Sequence, residues 1–173
     1  MFVLGIDPGL SRCGYGAVRV DSAGRFVAEA AGVLRTDKDA ALPRRLSVLM
    51  ADLRSLLEEL QPDAVAVERV FFQTNVRTAM SVGQASGLAL ALADSLGCDV
   101  AEYTANEVKA IVAGYGAATK DQVQRMVQSQ LNLSEIPKPP DAADALALAL
   151  THCALGPRRA RCALSLPTGR APA

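Results

Sequence analysis

Acidic residues at the ends of two apolar segments are the first feature of this sequence that could do chemistry. Asp7 ends the apolar run 2–6, and Glu68 follows the apolar run 64–67. A carboxylate at the end of a buried strand loses hydration and needs a compensating partner. For Asp7 that partner is a divalent cation or, alternatively, the backbone N–H groups of a turn. For Glu68 the alternative is a salt bridge to Arg69 or to another cation.

A second acidic feature lies near the C-terminus, where Asp141 and Asp144 stand three residues apart in a segment rich in Ala and Leu. Residues three apart share one face of a helix, so the two carboxylates are predicted to be neighbours. In the first turn they also meet the positive end of the helix dipole. Considered alone, this segment is better explained by Asp141 as a helix N-cap, with Asp144 as an ordinary first-turn acid.

Taken together, these four carboxylates predict a metal centre. Clustered carboxylates repel one another and raise each other's pKa values unless a divalent cation neutralises them. Oxygen ligands without His or Cys suit Mg²⁺ or Mn²⁺ better than zinc. Two such ions can activate a water and stabilise the leaving oxygen when a phosphodiester is cleaved. Hydrolysis of a nucleic acid is therefore the leading hypothesis for the function.

The elements that position these acids follow from the spacing of apolar residues. Strands are predicted at 2–7, 14–20, 25–34, 64–67 and 98–103, and helices at 43–60, 77–96, 105–113, 120–131 and from 141 to about 153. The first three strands indicate an antiparallel meander, and the helix before the fourth strand resembles the crossover of a parallel pair. We expect an α/β fold with a mixed sheet of about five strands flanked by helices.

Composition limits the classes of protein that remain. The chain has 173 residues, 50% of them hydrophobic, which suits one domain. Its 18 basic residues balance 18 acidic ones, so any DNA binding must depend on local patches. We find no secretory signal and no apolar stretch of membrane-spanning length, which favours a cytoplasmic protein without a membrane partner. The four cysteines lack zinc-ligand spacing and are expected to be reduced thiols.

Five short stretches resemble the successive motifs of the RuvC family. They are GIDPG at 5–9, ERVF at 68–71, SVGQA at 81–85, VK at 108–109 and DAADALA at 141–147. They occur in the family's order and cover about residues 1–154. The resemblance implies an RNase H-like nuclease domain at 1–155, and the Gly-, Pro- and Arg-containing segment 156–173 is expected to be a disordered tail.

The resemblance also implies a function and a cofactor. It indicates a homodimeric DNA endonuclease that resolves four-way (Holliday) junctions by paired symmetric nicks in recombination and repair. The family's catalytic and metal-binding acids match Asp7, Glu68, Asp141 and Asp144, with Mg²⁺ as the cofactor, Mn²⁺ as a substitute and two ions per site. The RuvA and RuvB branch-migration proteins are the implied protein partners.

Three further residues match DNA-binding positions of the family. Phe71 would stack on an unpaired base, although core packing of Phe71 or of the adjacent Phe72 is the alternative. Lys109 and Lys120 would lie near the DNA, although each can also be an ordinary solvated lysine. The only histidine, His152, is predicted to be structural. The small residues of helix 77–96 are predicted to pack either on the sheet or against a second copy across a two-fold axis.

Two rival functions are weaker. A sugar-kinase or actin-like ATPase also begins with a strand ending in Asp and a Gly turn, but those proteins close two such domains around a nucleotide and this chain has space for one. A junction-binding module without catalysis is the other rival, and the intact set of acids argues against it.

Overall fold

One mixed β-sheet with helices on both faces forms the described part of the chain. The computed structural model describes residues 1–69 and 76–165, and the side chains of residues 1–69 and 79–156. The strands are β1 Phe2–Asp7, β2 Arg12–Val20, β3 Phe26–Arg35, β4 Ala64–Glu68 and β5 Asp99–Tyr103. The helices are α1 Leu42–Leu60, α2 Val76–Ser95, α3 Ala105–Ala113, α4 Lys120–Gln130 and α5 Pro140–Ser165. The predicted fold class, a five-stranded sheet flanked by helices, is confirmed.

The order of the strands brings the two strand-end acids to one edge of the sheet. The order is β3-β2-β1-β4-β5. The pairs β1/β2 and β2/β3 are antiparallel, whereas β1/β4 and β4/β5 are parallel. The predicted meander and the predicted parallel crossover are therefore both present. Because β1 and β4 run in the same direction side by side, Asp7 and Glu68 lie at the same edge.

Alternation along the strands decides which face each acid points toward. Phe2, Leu4 and Ile6 of β1 pack in the core formed with α1 and α2. The intervening Val3 packs in the second core, which α3, α4 and α5 cover. Since side chains alternate along a strand, Asp7 lies on the side of Val3 and faces the second group of helices.

Close packing of α5 on the sheet depends on glycines in β1 and β2. A Cβ atom at Gly16 would lie 2.6 Å from the backbone nitrogen of Leu146, and one at Gly14 would overlap the carbonyl oxygen of Asp141. A Cβ at Gly5 would meet the α5 backbone just as closely. No larger residue fits between this helix and the sheet. These glycines therefore let the start of α5 lie directly over the end of β1.

Helix α5 is longer than the sequence predicts. The pattern indicates an end near Cys153 and disorder from Gly156, but the helix continues to Ser165. The segment 158–164 is rich in Arg, Ala and Leu, which favour helix, and this propensity outweighs the breaking tendency of the preceding Gly and Pro. The end of the expected tail, 166–173, lies outside the described residues. The nuclease-domain bounds of 1–155 stay a prediction.

Two further properties bear on the location of the chain: the apolar length of its helices and the state of its cysteines. Among the helices of residues 1–69 and 76–165, none is long and apolar enough to cross a membrane. Cys13, Cys98 and Cys153 are free thiols. A cytoplasmic location stays a prediction.

Candidate active site

The acids of β1, β4 and α5 meet at one edge of the sheet. Pro140 is the first residue of α5, where its missing N–H costs nothing, and the helix then carries Asp141 in its first turn and Asp144 one turn later. The charges of Asp141 and Asp144 both act on Asp7, and that of Asp144 also acts on Glu68. Asp141 lies inside the helix rather than at its N-cap, so capping does not account for it.

A cleft of about 410 Å³ opens beside these acids. Its lining includes Asp7, Glu68 and Asp144 together with Lys109 of α3 and Lys120 of α4. Both helices start with a capping box, formed by Thr104 and Glu107 in α3 and by Thr119 and Gln122 in α4. Each box fixes the first turn of its helix, which sets where the lysine lies. The structure thus brings five of the sequence-predicted site residues into one cleft, with Asp141 next to it.

Burial and mutual repulsion perturb the carboxyl groups of the cleft. Burial, followed by the charges of Glu68, Asp144 and Asp141, raises the pKa of Asp7 from 3.8 to about 7, against the opposing charge of Lys120. Burial is also the main cause that raises the pKa values of Glu68 and Asp144. A cluster of this kind binds protons or cations more readily than separate surface acids do.

The carboxyl groups of Asp7 and Glu68 lie close enough to perturb each other. The charge of Glu68 raises the pKa of Asp7, and the interaction with Asp7 opposes the rise in the pKa of Glu68 that burial causes. Arg69 does not form an ion pair with Glu68 in the described part of the chain. Its backbone N–H donates to the carbonyl oxygen of Tyr103 at 2.8 Å. The salt bridge considered for Glu68 is therefore not formed with Arg69.

Two cations hold the carboxylates of α5. Arg12 donates to Oδ2 of Asp141 from Nε at 3.1 Å and from Nη2 at 2.5 Å. Lys120 Nζ lies 2.5 Å from Oδ2 of Asp144. Burial lowers the pKa of Lys120, but its bond to Asp144 and the neighbouring acidic charges outweigh burial, so the net pKa is raised. Sequence reasoning missed Arg12, because its partner lies 129 residues away and no local pattern links them.

The donor set suits a hard divalent cation. All four acids offer oxygen, and burial together with mutual repulsion favours a cation beside Asp7 and Glu68. Within the described residues, however, no group of three or more His, Cys, Asp or Glu side chains is arranged to hold a metal ion. Asp141 and Asp144 are instead paired with Arg12 and Lys120. The chemistry of the donors fits Mg²⁺ or Mn²⁺, and the side chains would need to reorient to bind it.

The predictions for the two phenylalanines and for the histidine differ in whether the described residues include them. Phe71 and Phe72 lie outside the described residues, so their roles stay predictions. His152 is buried on α5, and its Nδ1 lies 3.0 Å from the hydroxyl of Tyr103 at the end of β5. Since Tyr103 is the register partner of Glu68, this contact ties α5 to the strand beside the acids.

Known proteins share both the sequence and the fold. The family model "Crossover junction endodeoxyribonuclease RuvC" matches residues 3–152. A relative of that name from Moorella thermoacetica is 49% identical over 161 residues, which are 93% of this chain and 96% of the relative. The solved structure of Thermus thermophilus RuvC is 37% identical, with 92% of this chain and 97% of that one covered and a TM-score of 0.84. The structure of T. thermophilus RuvC in complex with Holliday junction substrate is 35% identical, with 91% and 96% covered and a TM-score of 0.82. The RNase H-like fold is thereby confirmed, and the chain belongs to the RuvC family of crossover junction endodeoxyribonucleases.

Proposed function

We propose that this chain resolves four-way DNA junctions by hydrolysing phosphodiester bonds at the cluster of Asp7, Glu68, Asp141 and Asp144. The observation that carries the proposal is the convergence of Asp7, Glu68 and Asp144 in one cleft at the edge of the sheet. The family supplies the class of activity, and the relative from Thermus thermophilus was solved with a Holliday junction substrate.

These four acids would hold Mg²⁺, with Mn²⁺ as a substitute and two ions per active site. When bound, such ions lower the pKa of a coordinated water and stabilise the leaving oxygen of the cleaved phosphodiester. Asp7 limits when the cluster reaches its full negative charge, because its pKa of about 7 leaves it partly protonated at neutral pH. The cluster therefore binds cations most strongly above neutral pH, where Asp7 is deprotonated.

The lysines of the cleft attract the DNA strand electrostatically. Lys109 and Lys120 line the same cleft as the acids, so a phosphate that approaches the cluster meets positive charge first. Lys120 also orients Asp144 through their contact at 2.5 Å. Phe71, just beyond Glu68, would stack on a base that the bound junction leaves unpaired.

A homodimer would provide two equivalent active sites for two symmetric cuts. The small residues of α2 divide between two faces of that helix. Ala85 and Ala89 are buried against the sheet. A Cβ at Gly83 or Gly87 would meet nothing within 4 Å, and Met80 on this open side is 59% exposed. We infer that the open side of α2 packs against a second copy of the chain. Partnership with RuvA and RuvB stays a prediction.

A synthetic four-way junction tests the proposed function. With Mg²⁺ the wild-type chain should make paired, symmetric nicks, and EDTA should stop cleavage but not binding. Asp7→Asn should bind the junction and fail to cut it. Asp99→Asn makes the same change in charge at an exposed residue at the opposite edge of the sheet, so it is the matched control and should cut normally. Normal cleavage by Asp7→Asn would refute the assignment, and an intact junction after wild-type treatment would reduce the protein to a binding module.

A further inference from the structure

Four arginines form a surface beside the acid cluster, outside the cleft that Lys109 and Lys120 line. We call Arg12, Arg35, Arg44 and Arg45 the arginine surface. Arg12 begins β2 and Arg35 ends β3, and the two are direct cross-strand partners. Arg44 and Arg45 lie in the first turn of α1. Since Asp7 pairs with Gly14 of β2, this surface and the acids lie at the same edge of the sheet.

Three of these arginines keep their charge without a carboxylate partner. Arg35 and Arg44 are exposed and take part in no ion pair within the described residues. Arg45 donates to two neutral hydroxyls, to Ser11 Oγ at 2.6 Å and to Thr36 Oγ1 at 3.1 Å. Only Arg12 is paired with an acid, Asp141 of the cluster. The surface therefore carries a net positive charge that ion pairs among the described residues do not neutralise.

Folding explains Arg12, which pairs with Asp141, and Arg45, which donates to Ser11 and Thr36, but it does not explain Arg35 and Arg44. Like charges on directly opposed strand residues, as at Arg12 and Arg35, are destabilising. Helix α1 has no side-chain N-cap and no acidic residue in its first turn, so Arg44 and Arg45 add positive charge to the positive end of the helix dipole. Charges that lower the stability of the folded protein are expected where they serve binding.

The positive charge is local to this part of the chain. Basic and acidic residues balance at 18 each over the whole sequence. Segment 35–45 instead contains four cationic residues, which are Arg35, Lys38, Arg44 and Arg45, against the acids Asp37 and Asp39. One carboxylate oxygen of Asp37 already accepts a hydrogen bond within the loop, from the Asp39 backbone N–H at 2.9 Å.

Hydrogen bonds connect the arginine surface to the loop that follows Asp7. Thr36 Oγ1 donates to the carbonyl oxygen of Leu10 at 2.5 Å, and the Thr36 backbone N–H donates to that of Ser11 at 3.4 Å. Arg45 bridges Thr36 and Ser11 from the start of α1. The surface is therefore held in a fixed position next to the catalytic edge.

We propose that the arginine surface binds the phosphodiester backbone of a duplex arm of the junction, beyond the phosphate that is cut. Guanidinium groups bind phosphates through paired hydrogen bonds, and several on one surface can each contact a different phosphate of a charged backbone. Lys109 and Lys120 line the cleft with Asp7 and Glu68, whereas the arginines lie on β2, β3 and α1, outside that lining. The arginine surface therefore offers the DNA a contact separate from the cleft. The inference rests on the proposed function and adds a second DNA contact to it.

The dependence of junction affinity on salt tests the proposal directly. Binding of a labelled four-way junction is measured in EDTA by fluorescence anisotropy, at a series of KCl concentrations. Each phosphate contact contributes about 0.9 to the slope of log K against log salt, so Arg35→Gln/Arg44→Gln should reduce that slope by about 2. The affinity difference from wild type should then shrink about 3.5-fold with each doubling of the salt concentration.

The matched control removes the same charge from the same kinds of element. Arg19 lies on β2 and Arg54 on α1, both 48% exposed and away from the catalytic edge. Arg19→Gln/Arg54→Gln should leave the slope at its wild-type value. An equal fall in both double variants would show only an effect of net charge, and an unchanged slope in Arg35→Gln/Arg44→Gln would overturn the proposal. A loss of affinity that is the same at every salt concentration would also overturn it.

Failure of this inference is separable from failure of the proposed function. Nicking of the junction by the wild-type chain with Mg²⁺ reports on the function, whereas the salt slope in EDTA reports on the arginine surface. Normal nicking with an unchanged slope would leave the function intact and remove the surface from it. A wild-type chain that neither binds nor nicks the junction would overturn both.

Discussion

The contribution of Asp7 to the free energy of unfolding of the metal-free protein should fall as pH rises toward neutrality. Its pKa is raised from 3.8 to about 7 in the folded protein, mainly by burial and then by the neighbouring acids. A group whose pKa is higher in the folded state stabilises that state fully below its unfolded pKa, and the contribution is lost as pH rises through the folded pKa. The loss attributable to Asp7 should therefore run from about pH 4 to about pH 7.

The size of this effect follows from the two pKa values. Between them only the folded state keeps the proton, and each pH unit then costs about 1.4 kcal/mol. Above pH 7 both states have lost the proton and the curve levels off. From pH 5 to pH 8 the Asp7 contribution should thus fall by about 2 to 3 kcal/mol. Asp7→Asn carries no charge at any pH and should escape this fall.

Urea unfolding in EDTA at pH 5 and pH 8 measures the difference. The stability of Asp7→Asn relative to wild type should grow by about 2 to 3 kcal/mol between the two pH values, and the subtraction cancels the titration of groups that the two proteins share. Asp99→Asn, exposed at the opposite edge of the sheet, should show no such growth. Added Mg²⁺ at pH 8 should stabilise wild type more than Asp7→Asn. A difference between wild type and Asp7→Asn that does not depend on pH would refute the electrostatic argument.

Three further predictions concern other parts of the site. Phe71→Ala should weaken productive junction binding by about 1 to 3 kcal/mol in single-turnover assays and leave the melting temperature unchanged, whereas a core phenylalanine would cost about 3 to 5 kcal/mol of stability. Lys120→Gln should move the acidic limb of the pH–rate profile to higher pH, because Lys120 lowers the pKa values of Asp7, Glu68 and Asp144, and Lys120→Arg should keep the limb in place. Gly87→Leu should raise the dimer dissociation constant in sedimentation experiments, with unaltered dimerisation as the contradicting result.

Much of the fold could be predicted because its patterns are local. The apolar spacing of α1 and the apolar run of β1 predict those elements within one or two residues of their observed bounds. The two strand-end acids could be placed together, since the parallel crossover between β1 and β4 is itself a strong topological rule. The late pair on α5 joins them because motif order identifies the family.

The cations around the acids could not be predicted in the same way. Arg12 reaches Asp141 across 129 residues, and its role appears only once β2 and α5 are packed together. Arg35 and Arg45 show no periodic signal, because their proximity arises from the β2/β3 register and from loop contacts at Ser11. The predicted end of α5 near Cys153 is too early. Gly156 is typical of a helix end, but the helix propensity of the residues beyond it carries the helix to Ser165.

The glycines under α5 offer the sharpest test of how the fold positions the acids. A Cβ atom at Gly14 would overlap the carbonyl oxygen of Asp141 and lie 3.1 Å from the Asp141 Cβ, so Gly14→Ala must push the start of α5 away from β1. Overpacking of this kind typically costs about 1 to 3 kcal/mol, and here it also moves the carboxylates of α5 relative to Asp7. Gly116→Ala is the matched control, because a Cβ there lies 3.7 Å from the carbonyl oxygen of Asn106, which is an ordinary van der Waals contact.

We expect Gly14→Ala to lower both the melting temperature and the cleavage rate, and to weaken the stabilisation by Mg²⁺ seen in thermal unfolding. Gly116→Ala should leave both the melting temperature and the cleavage rate at their wild-type values. The decisive quantity is cleavage measured at a temperature where Gly14→Ala is fully folded, since a fall there separates displaced acids from simple unfolding. If folded Gly14→Ala cleaves at the wild-type rate, then the position of α5 over Gly14 does not set the geometry of the active site.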